Sequence, residues 1–139
     1  MKRISPETKK LLAPFFPTLN LDRIRLYTKG LRLGYLILLL NRANAITFSK
    51  KIFFARGMLD ESTITGITLI AHELTHVRQY QETGFLRFLY RYLRDYIQSR
   101  IEGKDHHSAY LNVSFEREAF THEREIYEKL KIMVENKES

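Results

Sequence analysis

Apolar and polar positions change period along this chain, and each change marks an element. Residues 5 to 12 read as a short helix that stops before Pro14, because the residue preceding a proline is pushed out of helical geometry. From Arg23 to Thr28, "RIRLYT" alternates charged and apolar side chains, the period of a half-buried strand. The next stretch, "LRLGYLILLLNRANA", is too continuously apolar for period to separate a short helix from a buried strand. "AITFSKKIFFARG" is rich in Ile and Phe and reads as a strand or hairpin, turning at Ser49-Lys50 and ending at Gly57.

From about Ser62 to Glu82 the period becomes helical, with a Ser or Thr available as N-cap and Gly84 placed to end it. On a wheel advancing about 100° per residue, Ile67, Ile70, Ala71 and Leu74 form one stripe, and His72 and His76 lie roughly opposite. A second helix, 85 to 101, carries a wide apolar arc from Phe85 to Ile101 with a polar edge of Arg87, Arg91, Arg94 and Gln98. The polar stretch "EGKDHHSAY" predicts a loop, and a last helix runs from Ser114 to about Glu135. The pattern predicts an α+β fold, mostly helical with a small sheet.

Length and charge narrow the class. The 139 residues fit one domain, 1–139, and 44% apolar with 12% aromatic residues argue for a folded chain. A net charge of +7 favours anionic partners without choosing among nucleic acid, lipid and acidic protein. Cysteine is absent, so a metal must be held by His and carboxylate. The basic start is broken by Pro6, Pro14 and Pro17 and lacks the apolar run of a signal peptide. "GYLILLLN" is far shorter than the roughly 20 residues that cross a bilayer. The expectation is a soluble, cytoplasmic protein.

The stretch "IAHELTHVRQYQETG", residues 70 to 84, carries the chemistry. Side chains four apart on a helix stand one above the other, so His72 and His76 can aim two imidazoles at one ion. Glu73 projects about 100° round from His72, out of reach as a ligand but able to take a proton from a water held by that ion. The histidines can equally be helix-surface residues paired with carboxylates, since this short motif also arises by chance. A catalytic site needs a third ligand. The metzincin continuation requires Gly at 79 and His at 82, where the chain has Gln79 and Glu82. His106 and His107 fall in the polar loop. On the last helix Phe115, Ala119, His122, Ile126, Leu130 and Met133 form a stripe, widened by Phe120 and Tyr127. Glu116 falls inside that widened arc, where a carboxylate needs a compensating charge, so it is preferred. Glu118, on the opposite flank, is the alternative.

"HELTH" followed by "FEREAF" resembles the gluzincin-type zinc metallopeptidases, in which a glutamate from a later helix joins the two histidines. Glu116-x-x-Ala119 also resembles the E-x-x-A-D segment of zinc proteases related to the prenyl-CaaX endopeptidase. There the first glutamate is the ligand, which implies Glu116, and Phe120 stands where that family has Asp. A closer likeness covers about residues 23 to 82. "RIRLYT" and then "NRANAITFSKKIFFARGMLDESTITGITLIAHELTHVRQY" are similar to the metallopeptidase-type domain found beside extracellular contractile injection systems and in polymorphic toxins. This likeness implies a zincin-like domain with a small sheet against the HExxH helix, here without an attached toxin or delivery module.

The leading expectation is therefore a Zn²⁺-dependent metallohydrolase, a peptidase acting on peptide or protein. His72, His76 and Glu116 would hold Zn²⁺, with Glu73 as general base. Tyr110, six residues before Glu116, is a candidate to stabilise an oxyanion or else an anchor of its loop, and His107 is a rival for the role. His122 reads as a core histidine or as support for a ligand. Helix 85–101 reads as packed core with arginines reaching out, or as a contact for an anionic surface. A different class stays open, a non-catalytic basic module of zincin-like fold that binds an anionic membrane surface or nucleic acid. No nucleic-acid-binding signature accompanies the charge.

Overall fold

The computed structural model describes residues 1–28 and 44–138. The ambiguous apolar segment at 31–45 lies almost wholly outside the described residues. Helix α1 is Pro6–Leu12, with Pro6 in its first turn and the Ser5 hydroxyl accepting from the Thr8 N–H. It tightens into a 3₁₀ turn, Ala13–Phe15, at Pro14. Strand β1 is Arg25–Tyr27, shorter than the expected Arg23–Thr28, because Leu21–Arg23 form a 3₁₀ turn under an Asn20 cap. Strands β2 (Ala45–Phe48) and β3 (Lys51–Phe54) form the expected hairpin, with Ser49 at φ 57° in its two-residue turn. The sheet order is β1-β3-β2, with β1 parallel and β2 antiparallel to β3.

Four helices follow: α2 (Ile64–Thr83), α3 (Phe85–Ile101), α4 (His106–Leu111) and α5 (Ser114–Glu138). Thr63 caps α2 by accepting from the Gly66 N–H at 3.0 Å. Gly84, at φ 93°, both ends α2 and starts α3: its N–H bonds the Tyr80 carbonyl and its own carbonyl accepts from Phe88. Helix α4 lies where a loop is expected. The Asp105 carboxylate accepts from the Ser108 N–H at 2.8 Å, and that cap turns "HHSAYL" into a helix despite its polar character.

Helix α2 is the centre of the fold and is buried on nearly every side from Gly66 to Tyr80. Its apolar stripe, Ile67, Ile70, Ala71, Leu74 and Val77, joins Leu26, Ile52 and Phe54 of the sheet and Ile126 and Leu130 of α5 in one core. Beyond it, Tyr80, Phe88, Val113 and Phe115 form a second, aromatic core. The polar residues of α2, His72, Glu73, His76 and Gln79, are buried as well. Side chains alternate along β2, so Ala45 and Thr47 turn inward towards α2 while Ile46 and Phe48 turn away. The wide apolar arc expected of α3 divides: Phe88 is buried, but Leu86, Leu93, Ile97 and Ile101 are exposed, and so is Tyr90 beside them. Met133, placed by the sequence pattern on the buried stripe of α5, is also exposed.

Candidate metal centre

Three side chains converge where α2 meets α5. Nε2 of His72 lies 3.0 Å from Oε1 of Glu116, and Nε2 of His76 lies 2.8 Å from the same oxygen. All three residues are buried, and one ligand atom from each can be chosen with all within 4.8 Å of one another. The i, i+4 spacing on α2 aligns the imidazoles, whose ring centres are 5.0 Å apart. Glu116 enters from the first turn of α5, itself tied to α3 by the Ser114 N–H and hydroxyl donating to Asp95.

The hydrogen-bond network fixes the chemistry of His76. The Gln79 amide nitrogen faces the Phe115 carbonyl at 3.0 Å and the Glu118 carboxylate at 2.9 Å, both pure acceptors. The amide oxygen must therefore be the atom 2.7 Å from Nδ1 of His76, and Nδ1 must carry the proton donated to it. In the neutral ring, Nε2 would then present a bare lone pair to a carboxylate oxygen. That arrangement asks for a cation, either a proton on the ring or a metal ion shared by the three side chains.

Without a metal the proton wins. Burial opposes charge on His76, but the Glu116 carboxylate overrides it, and the pKa is pushed up to about 9. Burial would likewise raise Glu116, yet the His76 charge and the hydrogen bonds from both imidazoles hold its carboxyl well below the usual range. Two imidazoles and a carboxylate, supported from outside, can hold a metal ion.

The support is uneven. On Glu116, the second oxygen accepts from the Tyr92 hydroxyl of α3 at 2.7 Å, and burial together with the Glu116 charge keeps that phenol protonated. Nδ1 of His72, by contrast, is buried with no hydrogen-bond partner among the described residues; Oε1 of Glu123 stands 3.9 Å away. Burial raises the Glu123 pKa. Phe120 packs edge-on against the His72 ring at 4.6 Å.

Glu73 is buried on the side facing the sheet, where its Oε2 accepts from the Thr47 hydroxyl at 2.5 Å. It also lines a cleft of about 200 Å³ with His72, Tyr110, Phe120 and Glu123. Tyr110 sits on α4 at this cleft, and burial and the Glu116 charge keep its hydroxyl protonated. His107 lines the cleft as well, and His106 takes a 2.7 Å contact with the Tyr96 hydroxyl. Neither histidine joins the cluster of three. Glu118 stays outside it too, bonded to Arg78 and Gln79. His122, half-buried, pairs with the Thr75 hydroxyl and is not a member of the cluster of three.

Four contributors escape the sequence reading: Thr47, Gln79, Tyr92 and Glu123. Gln79 follows His76 by three residues and Glu123 follows Glu116 by seven, both same-face helical spacings. Thr47 shares the inward parity of Ala45. Only Tyr92 gives no polar signal, since it reads as part of an apolar arc.

Comparison with known proteins bears on part of this region. The model of the eCIS core domain, of extracellular contractile injection system proteins, matches residues 40–84. That span holds β2, β3 and α2, and with them Thr47, His72, Glu73, His76 and Gln79. It stops before Glu116, Tyr110 and the rest of α3 to α5, and it covers less than half the chain. No curated protein and no solved structure matches the chain. The likeness to extracellular contractile injection system proteins expected over about residues 23 to 82 is thus found in part, over residues 40–84, a span that includes "HELTHVRQY" and leaves out "RIRLYT".

Proposed function

We propose that the chain is a zincin-like, zinc-dependent hydrolase, a peptidase, with His72, His76 and Glu116 as the metal ligands and Glu73 as the general base. The observation that carries this reading is the convergence of His72 Nε2 and His76 Nε2 on one buried oxygen of Glu116, beside a cleft lined by Glu73. A donor set of two nitrogens and one oxygen suits Zn²⁺ and leaves a coordination position for the reaction. Bound there, the ion supplies Lewis acidity to a substrate carbonyl and lowers the pKa of a water.

The protein residues divide the remaining work. Thr47 holds Oε2 of Glu73, so Oε1 is the atom that takes a proton from water and returns it to the leaving nitrogen. Gln79 and Tyr92 hold His76 and Glu116 in ligating orientation. Tyr110 keeps its proton and stands at the cleft as the donor for a developing oxyanion.

Metal analysis of the purified chain tests the site. The expected result is about one zinc per chain, lost in His76→Ala and in Glu116→Ala. A metal-free wild type after exposure to zinc would overturn it. Glu73→Gln should keep the zinc and abolish hydrolysis of a broad peptide library. A second reading, a zinc-holding module that cuts nothing, is favoured by Arg87, Arg94 and Arg100, which are exposed on α3 and lie outside the cluster of three. Wild type inert towards every peptide in that library, with zinc in place, would favour it.

A further inference from the structure

Helix α3 has a face that the metal centre does not use. Leu86, Tyr90, Leu93, Ile97 and Ile101 recur at spacings of four, three, four and four, which places them on one stripe of the helix. They are between 52% and 81% exposed, so no described residue covers them. Large apolar residues scattered singly over a surface need no explanation, but a stripe about 25 Å long does.

Charge selects the occupant. Arg87 and Arg94 run along one edge of the stripe and Arg100 along the other, all three exposed. The helix has one acidic residue, Asp95, and it lies on the opposite side, bonded to Ser114. A second copy of this helix laid on the stripe would bring arginine edges together with no carboxylate to offset them. Nucleic acid would set phosphates over an apolar centre in which Tyr90 is the one aromatic ring. An anionic bilayer meets both features, with phosphates for the arginines at the edges and acyl chains for the stripe between them.

We propose that α3 docks the protein on an anionic lipid surface, lying in the plane of the interface with Leu86, Tyr90, Leu93, Ile97 and Ile101 inserted and Arg87, Arg94 and Arg100 on headgroup phosphates. The docking is peripheral, because no helix among the described residues is long and apolar enough to cross a membrane. It makes no use of the metal ligands, so it stands whether or not the proposed hydrolase reading does.

Co-sedimentation of the full chain with vesicles is the test, in chelator so that the metal centre plays no part. With phosphatidylcholine containing about 30% phosphatidylserine the protein should pellet, and with phosphatidylcholine alone it should stay in solution. Raising salt from about 0.1 M to about 0.5 M should release it. The Leu93→Gln/Ile97→Gln double variant, altered only at exposed positions, should keep its melting temperature and lose partitioning by at least roughly tenfold. Arg87→Gln/Arg94→Gln should abolish the preference for anionic vesicles. Equal pelleting of wild type and the apolar double variant would overturn the proposal. So would a wild-type dimer that this variant converts to monomer, or single-stranded DNA binding that it abolishes, each of which assigns the stripe to another occupant.

Discussion

Gln79 is the residue on which the His76 site turns. Its amide faces three partners at once, and only one orientation satisfies all of them, so the proton on His76 is held at Nδ1 and Nε2 is freed towards Glu116. Replacing it with leucine keeps the volume and deletes the acceptor. The expected result for Gln79→Leu is zinc affinity lower by about 10- to 100-fold, measured by chelator competition. Glu118→Ala is the contrast, because Glu118 supports Gln79 only in company with the Phe115 carbonyl and lies outside the cluster of three. Its affinity should fall by no more than about threefold. Equal losses in the two variants would show that His76 is not oriented in this way. The histidines and Glu116 were legible because each is a polar residue at a helical spacing that lands in an apolar setting. Gln79 was equally visible as a residue, but its role depends on a backbone carbonyl and a carboxylate from α5, and no local pattern carries that information.

Among the elements, α2 owes its position to a glycine inside it. A Cβ added at Gly66 would stand 1.7 Å from the Asp60 carbonyl oxygen, where the chain leading into α2 crosses the helix. That contact is with backbone and cannot be relieved by a side-chain rotation. Alanine is the better helix former by about 1 kcal/mol, so propensity alone predicts that Gly66→Ala stabilises the protein. The clash reverses the sign, and the expected outcome is a loss of about 1–3 kcal/mol in urea unfolding, with an unchanged m-value. Long, strongly periodic helices such as α2 and α5 were readable from the sequence to within a few residues. Helix α4 was not, because its six residues hold no apolar period and its start is set by the Asp105 cap. The apolar arc of α3 was visible in the sequence, but periodicity reports which residues share a face and not whether another element covers it.

At the scale of the molecule, the His72–His76–Glu116 cluster ties α2 and α5 directly and α3 through Tyr92, so folding and the charge state of the site are coupled. In the metal-free protein the coupling runs through the His76–Glu116 pair. The His76 pKa is raised from 6.5 to about 9 in the folded state, so its contribution is fully present below pH 6.5 and is lost as pH rises through about 9. The Glu116 pKa is lowered from 4.5, so the same pair also weakens as pH falls below 4.5. In chelator, thermal stability should therefore plateau between those two values and decline on the alkaline side. A zinc ion held as proposed would take the place of the His76 proton, and its binding would release that proton wherever His76 is charged. Zinc affinity should accordingly rise with pH, by up to about tenfold per unit, until His76 is neutral. Melting temperatures taken from about pH 6 to about pH 8.5, with chelator and with excess zinc, should thus diverge as pH rises, the metal-free curve falling while the gain from zinc grows. A gain from zinc that does not change over that range would mean that no proton leaves the site when the metal enters, and the assignment of His76 as a ligand would fail with it.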